Sequence, residues 1–194
     1  MFKQISLLLL AVLLMTSAAS AVDWQFDAAH STVGFKVSHL VISSTTGKFT
    51  KFSGSVEFDG KSFEEGKVEV SIDVASIDTD NEDRDKHLLA PEFFDAEKYP
   101  EMRFVSKKIT NVKGDEFKIV GDLTIRDVTR EVVLDAEFRG SAEFMGTTKA
   151  GFRATGEINR QDFGVSFSRT METGGLVVGD TVEITLEIEL NKAG

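Results

Sequence analysis

The stretch VEITLEIEL, from Val182 to Leu190, sets Val182, Ile184, Leu186, Ile188 and Leu190 at every second position, with Glu183, Thr185, Glu187 and Glu189 between them. Successive side chains of an extended strand point to opposite sides, so the stretch predicts a β-strand with one dry face and one wet face. The same period recurs upstream. Val33, Phe35, Val37, His39 and Val41 share one side of a strand, as do Phe52, Gly54, Val56 and Phe58, and then Val68, Val70, Ile72 and Val74. Phe117 to Ile125, Val132 to Phe138 and Ala150 to Ile158 repeat it, and Met102 to Ile109 brings the total to about eight strands. Asp59-Gly60, Lys113-Gly114-Asp115, Arg126-Asp127 and Gly179-Asp180 lie between these runs and predict short hairpin turns. With no strand–helix–strand rhythm, the chain is predicted to be all-β, a single antiparallel sandwich or closed barrel. Residues 81–98 depart from the alternation. They are charged, then carry Leu88, Leu89, Phe93 and Phe94 before Tyr99-Pro100, which predicts one or two short amphipathic helices.

The first 21 residues read differently. Lys3 precedes an apolar run from Ile5 to Met15, and Ala19-Ser20-Ala21 is an A-x-A cleavage signal. This pattern predicts a secretory signal peptide cut after Ala21, leaving residues 22–194 as one exported, periplasmic domain. Removing residues 1–21, with Lys3 their one charge, leaves 173 residues and a net charge of −11. A surface of that sign disfavours nucleic acid, and no later segment is apolar enough for stable membrane insertion. There is no cysteine, which excludes disulfides, thiol catalysis, iron–sulfur clusters and cysteine zinc sites.

The dry faces are rich in phenylalanine, with 16 in the chain against one Trp and one Tyr. Phenylalanine fills apolar space without needing a hydrogen-bond partner. Gly54, Gly121, Ala150, Ala154 and Gly156 alternate with those large residues. Such alternation either fills the taper of a small barrel or leaves a cavity lined by rings, and an eight-stranded barrel is the size at which both outcomes occur. A nine-residue strand runs roughly 30 Å. At a tilt of about 40° that gives a slot in the low twenties of ångströms, which suits an extended hydrocarbon better than a sugar.

Polar residues offer little catalytic pattern. His30, His39 and His87 lack the spacing that sets two metal ligands on one face, so no metal site is expected. Asp78 to Asp85 lacks the sixth-position glycine of a calcium loop, and carries Leu89 where its glutamate belongs. It reads instead as a helix start with Asp80 or Asn81 as N-cap. Glu183, Glu187 and Glu189 lie opposite an apolar face and read as solvated exterior. The serines lack a nucleophile-elbow context, and no phosphate-binding glycine loop occurs. No catalytic residue or resident cofactor is therefore expected, and the chain is read as a non-enzyme.

Several strings resemble the YceI-like family: DAAHSTVGF from Asp27, GKFTKFSGSVEFD from Gly47 and SIDTDNEDRDKHLLAPEFFDAEKYPEMRF from Ser76. GDLTIRDVTREV from Gly121, GFRATGEINRQDFG from Gly151 and VGDTVEITLEIE from Val178 continue the likeness, which spans residues 23–190. It implies a lipocalin-like barrel with a tunnel for a long apolar molecule: a polyisoprenoid, an isoprenoid quinone or a fatty amide. It also implies a homodimer and, in some relatives, a role in stress response. On that basis the tunnel lining is assigned to Phe35, Val37, Phe52, Val70, Ile72, Phe104, Leu123, Phe138 and Phe152, with Phe93 and Phe94 near a mouth in the 81–99 block. His39, Arg84, His87 and Arg160 are the candidate head-group contacts. Two rival readings are an enzyme acting on a bound lipid or quinone through His39 or His87, and a filled barrel whose surface binds an envelope partner.

Overall fold

Strand pairing in the computed structural model follows the chain. The structure describes residues 23–59, 62–172 and 174–193. The predicted signal peptide, its cleavage point after Ala21, and Gly60 of one predicted turn lie outside the described residues. Eleven strands are assigned: β1 (Asp23–Phe26), β2 (Thr32–His39), β3 (Ser43–Phe49), β4 (Phe52–Glu57), β5 (Lys67–Asp73), β6 (Ile77–Asp78), β7 (Glu101–Lys113), β8 (Glu116–Ile125), β9 (Val128–Phe144), β10 (Thr147–Asn159) and β11 (Val178–Lys192).

Six of them are halves of three interrupted staves. β1 pairs with β4 and β2 with β3, so residues 23–39 run antiparallel to 43–57 as one broken ladder. β4 pairs with β5 and β3 with β6 in the same way. The breaks are stitched by polar groups: the Thr50 amide donates to Ser76 O at 3.0 Å, and Ser76 Oγ accepts from the Lys51 amide at 3.0 Å. Each stave then pairs with its sequence neighbour through β7, β8, β9, β10 and β11. β11 returns to pair with both β2 and β1. The result is an eight-stave, closed antiparallel barrel in which the short β6 pairs with β3 alone.

The alternation predicts the inner face correctly over most of this length. Val182, Ile184, Leu186, Ile188 and Leu190 all point inward. On the outside, Glu183 pairs with Lys36 at 3.2 Å and Glu187 with Arg153 at 3.3 Å. Two local expectations are corrected. Gly179-Asp180 is not a turn: both residues lie in β11, where the register shifts between Val178 and Val182. Val41 does not continue the dry face of β2. It sits with Leu40 and Ile42 in a three-residue turn, Val41 at φ 64° and Leu40 at φ 53°, and is 70% exposed. The 81–98 block holds one helix, α1 (Glu82–Leu88), capped by Asn81, whose side chain accepts from the Arg84 amide at 2.9 Å. Turns stapled by backbone hydrogen bonds follow it, from Ala90 to Tyr99.

Candidate binding cavity

The inward side chains of the barrel leave a cavity of about 270 Å³ whose wall is almost wholly carbon. All eight staves contribute, and the loops after β6 and β10 add Leu88, Phe93, Phe94 and Val165. The two ends of the barrel are closed by different chemistry.

At the capped end, α1 and its following turns meet the loop between β10 and β11. Phe93 stacks on Phe167 at 4.7 Å between centroids, and the Phe167 amide donates to Glu92 O at 3.0 Å. Arg126, in the β8–β9 turn at φ 59°, is the hub of this cap. Its Nη1 faces the carbonyls of Pro91, Phe93 and Gly164 at 3.3, 3.0 and 2.7 Å, and its Nη2 lies 3.5 Å from Asp95. The Tyr99 ring lies 5.3 Å from its guanidinium. Arg160, only 5% exposed, is a second clamp. It donates to Gly179 O at 2.8 Å, Val165 O at 2.6 Å, Val178 O at 3.1 Å and Asp180 Oδ1 at 3.0 Å. Burial pulls its pKa below the usual arginine value, and the Asp180 carboxylate opposes that pull. An arginine stays charged despite such a shift, so this is a buried cation neutralised by one carboxylate and three carbonyl dipoles.

The opposite end is closed by rings. Phe63 stacks between Phe117, at 4.6 Å, and Phe58, at 5.0 Å. Phe152 and Phe138 pack edgewise or tilted around that stack. Trp24 donates from Nε1 to Phe58 O at 3.0 Å and shares a buried cluster with Val56, Phe58, Ala150 and Leu190.

Eleven of the sequence-predicted site residues lie on the cavity wall: Phe35, Val37, Phe52, Val70, Ile72, Phe93, Phe94, Phe104, Leu123, Phe152 and Arg160. Four do not. Phe138, the cross-strand partner of Phe152, packs among the rings of Phe58, Phe63 and Phe152 and does not reach the wall. His39 ends β2 opposite Ser43 and Val178, beyond the lining. Arg84 turns back on its own loop, donating from Nε to Thr79 Oγ1 at 2.8 Å. Its neighbour Asp85 accepts from the Thr79 amide at 3.0 Å. His87, in α1, is half exposed on the cap, its ring edge-on to Phe93 and Phe167 and its Nε2 3.0 Å from Glu92 Oε1. The three histidines are thus not brought together. Sequence reasoning missed Arg126, Phe58 and Phe63. A long cation in a two-residue turn, where small polar residues are usual, was the available signal for Arg126.

Among the described residues, one group of metal-ligand type is assembled. Asp27, His30 and Glu189 offer atoms within 4.8 Å of one another. The same carboxylates already hold Lys149 Nζ, at 2.9 Å from Asp27 and 2.6 Å from Glu189. An ammonium therefore sits among the ligand atoms a cation would need, and the cluster is a clasp across the break between β1 and β2.

Comparison with known proteins fits this architecture. The sequence model of the YceI-like domain matches residues 24–190. A UPF0312 protein of Staphylococcus aureus strain MSSA476 is 36% identical over 171 residues, covering 87% of this chain and 97% of that protein. The crystal structure of the Campylobacter jejuni YceI protein superposes with a TM-score of 0.71 at 40% identity, over 87% of this chain and 96% of that one. A polyisoprenoid binding domain from Saccharophagus degradans, implicated in plant cell wall breakdown, superposes with a TM-score of 0.64 over 89% and 99% of the two chains. At 14% identity that last likeness is one of fold.

Proposed function

The chain belongs to the YceI-like domain family, and from that premise we propose that it is a periplasmic carrier, exported by cleavage after Ala21, that holds a long apolar ligand of the isoprenoid, quinone or fatty-amide kind inside its barrel. One observation carries the reading: the barrel encloses a cavity with an almost purely carbon wall along its length, rather than a filled core. Hydrocarbon exposed to water costs about 25 cal/mol per Å², so a lipid crossing an aqueous compartment gains from such a sleeve. The name of the Saccharophagus degradans domain, which shares the fold, points to the same ligand class. Charged residues paired across the outer face, as Lys107 is with Asp122 and Glu131, keep the carrier in water. His39 and His87 stand off the wall, so the enzyme reading lacks a polar group of theirs at the cavity.

Native mass spectrometry of the protein purified from its own envelope tests both halves of the proposal. The expected mass is that of residues 22–194 plus a discrete adduct that extracts into organic solvent as an isoprenoid or quinone. A clean apo mass that also resists loading with such lipids would overturn the carrier reading in favour of a filled barrel working through its surface.

A further inference from the structure

Side chains that line a barrel from its strands enter the bore from the side, so they set its width. Phe63 lines the cavity without belonging to a strand: it lies in the connection between β4 and β5. Local hydrogen bonds shape that connection. The Ser62 amide donates to Asp59 Oδ1 at 2.8 Å, and the Gly66 amide donates to Phe63 O at 2.9 Å. The second bond closes a turn that packs tightly on β7, since a Cβ on Gly66 would stand 2.9 Å from Ile109 Cδ1.

The ring so delivered reaches the far side of the barrel. It lies nearly parallel to Phe117 of β8, with centroids 4.6 Å apart and planes at 15°. Phe138 of β9 is 5.6 Å away and Phe152 of β10 is 6.5 Å away. Going round the sheet, β9 is four pairings from β4 in either direction, so Phe63 bridges diametrically opposed staves. Phe58, just past β4, stacks on its other face at 5.0 Å. Phe63 therefore lies across the bore, and its contacts are rings alone. The one polar atom of Trp24, beside this cluster, is already spent on Phe58 O.

Resting on the carrier reading above, we infer that Phe63 is the length-determining residue of the cavity, the stop at which the hydrocarbon terminus of the ligand comes to rest. A chain that just reaches the ring keeps all its carbon out of water. A longer one must either push Phe63 out of its stack or leave carbon exposed. A polar terminus at the stop would give up its water for carbon and find no partner, so the end that meets Phe63 is an apolar one.

Chain-length selection separates a stop from a mere loss of volume. The mature protein is loaded from an equimolar mixture of straight and methyl-branched alkanes of about 10 to 24 carbons, bracketing what a slot in the low twenties of ångströms holds. Gas chromatography of the extracted alkanes then gives the share of each. Wild type is expected to show one break in chain length, with the share falling at least tenfold beyond it. Phe63→Leu is expected to move the break up by at least one carbon and Phe63→Ala by at least two. Phe104→Leu makes the same exchange on the side wall, where Phe104 faces Val70 and Leu123 across its neighbouring strands. It is expected to raise the share of branched alkanes at least threefold with the break in place. A wild-type profile without a break, a break unmoved in both Phe63 variants, or one moved equally by Phe104→Leu overturns the stop and leaves the carrier reading standing. Failure of wild type to take up any alkane overturns the carrier reading itself.

Discussion

The Phe104 ring lies over Gly121: a Cβ built on Gly121 would stand 2.5 Å from Phe104 Cζ and 2.6 Å from Val105 O. Phe104 lines the cavity and Gly121 does not. At Gly121 the alternation of large and small residues therefore does not empty space. It lets a ring on the neighbouring strand lie down, and the cavity is what remains above the ring.

Gly121→Ala should accordingly destabilise the barrel, because one of the two close contacts is backbone and cannot rotate away. Overpacking of this kind costs about 1–3 kcal/mol. Urea denaturation should show a lower midpoint with an unchanged slope. A midpoint equal to wild type would mean that the β7–β8 pair can part without cost.

Arg126→Met should loosen the cap. The substitution removes the donors facing Pro91, Phe93 and Gly164, two of those contacts part-buried. Each buried carbonyl left without a partner costs about 1–3 kcal/mol. The expected result is a drop of roughly 2–4 kcal/mol together with faster proteolysis within residues 88–99. Arg126→Lys should recover little of it, since one ammonium cannot serve a fork of three carbonyls.

Much of this arrangement was legible in the alternation, and the exceptions share a cause. Period-two reading works while the register is unbroken, as along β11 from Val182 to Leu190. It fails at bulges. Between Ser106 and Lys108 the β7 register shifts, which brings Ile109 inward after Met102 and Phe104. The shift beside Val178 turns an expected Gly-Asp hairpin into strand, where any Cβ on Gly179 would collide with Ser38 Oγ. Arg160 could be singled out as a cation near the barrel, yet its partners are carbonyls of residues 165, 178 and 179, which no side-chain pattern announces.

Stability should depend on pH through Asp27. Its hydrogen bond from Lys149, then that from His30, hold its carboxyl far below the usual carboxylate range. A carboxylate with a depressed folded pKa stabilises the fold above its unfolded value, near 3.9, and loses that contribution as pH falls toward the folded value. The thermal midpoint of wild type should therefore fall below about pH 4 more steeply than that of Asp27→Asn. Parallel curves for the two proteins would show that the clasp joining β1, β10 and β11 adds nothing to stability in acid.

Filling the cavity gives the most direct contrast between the two sides of the wall. Ala154 is buried and lines the cavity; Thr155, the next residue of β10, lies on the opposite face of the strand, beyond the lining. Ala154→Leu adds three carbons to a space of about 270 Å³. Because that volume is open rather than packed, the added carbons should cost the fold less than the usual 1–3 kcal/mol of overpacking. They should instead displace ligand, with the adduct in native mass spectra lost or its loading reduced at least tenfold. Thr155→Leu, with the same final side chain facing outward, should load as wild type does. If both variants load equally, the ligand does not reach the middle of β10. If Ala154→Leu costs the full overpacking penalty, the space beside Ala154 is packed rather than open.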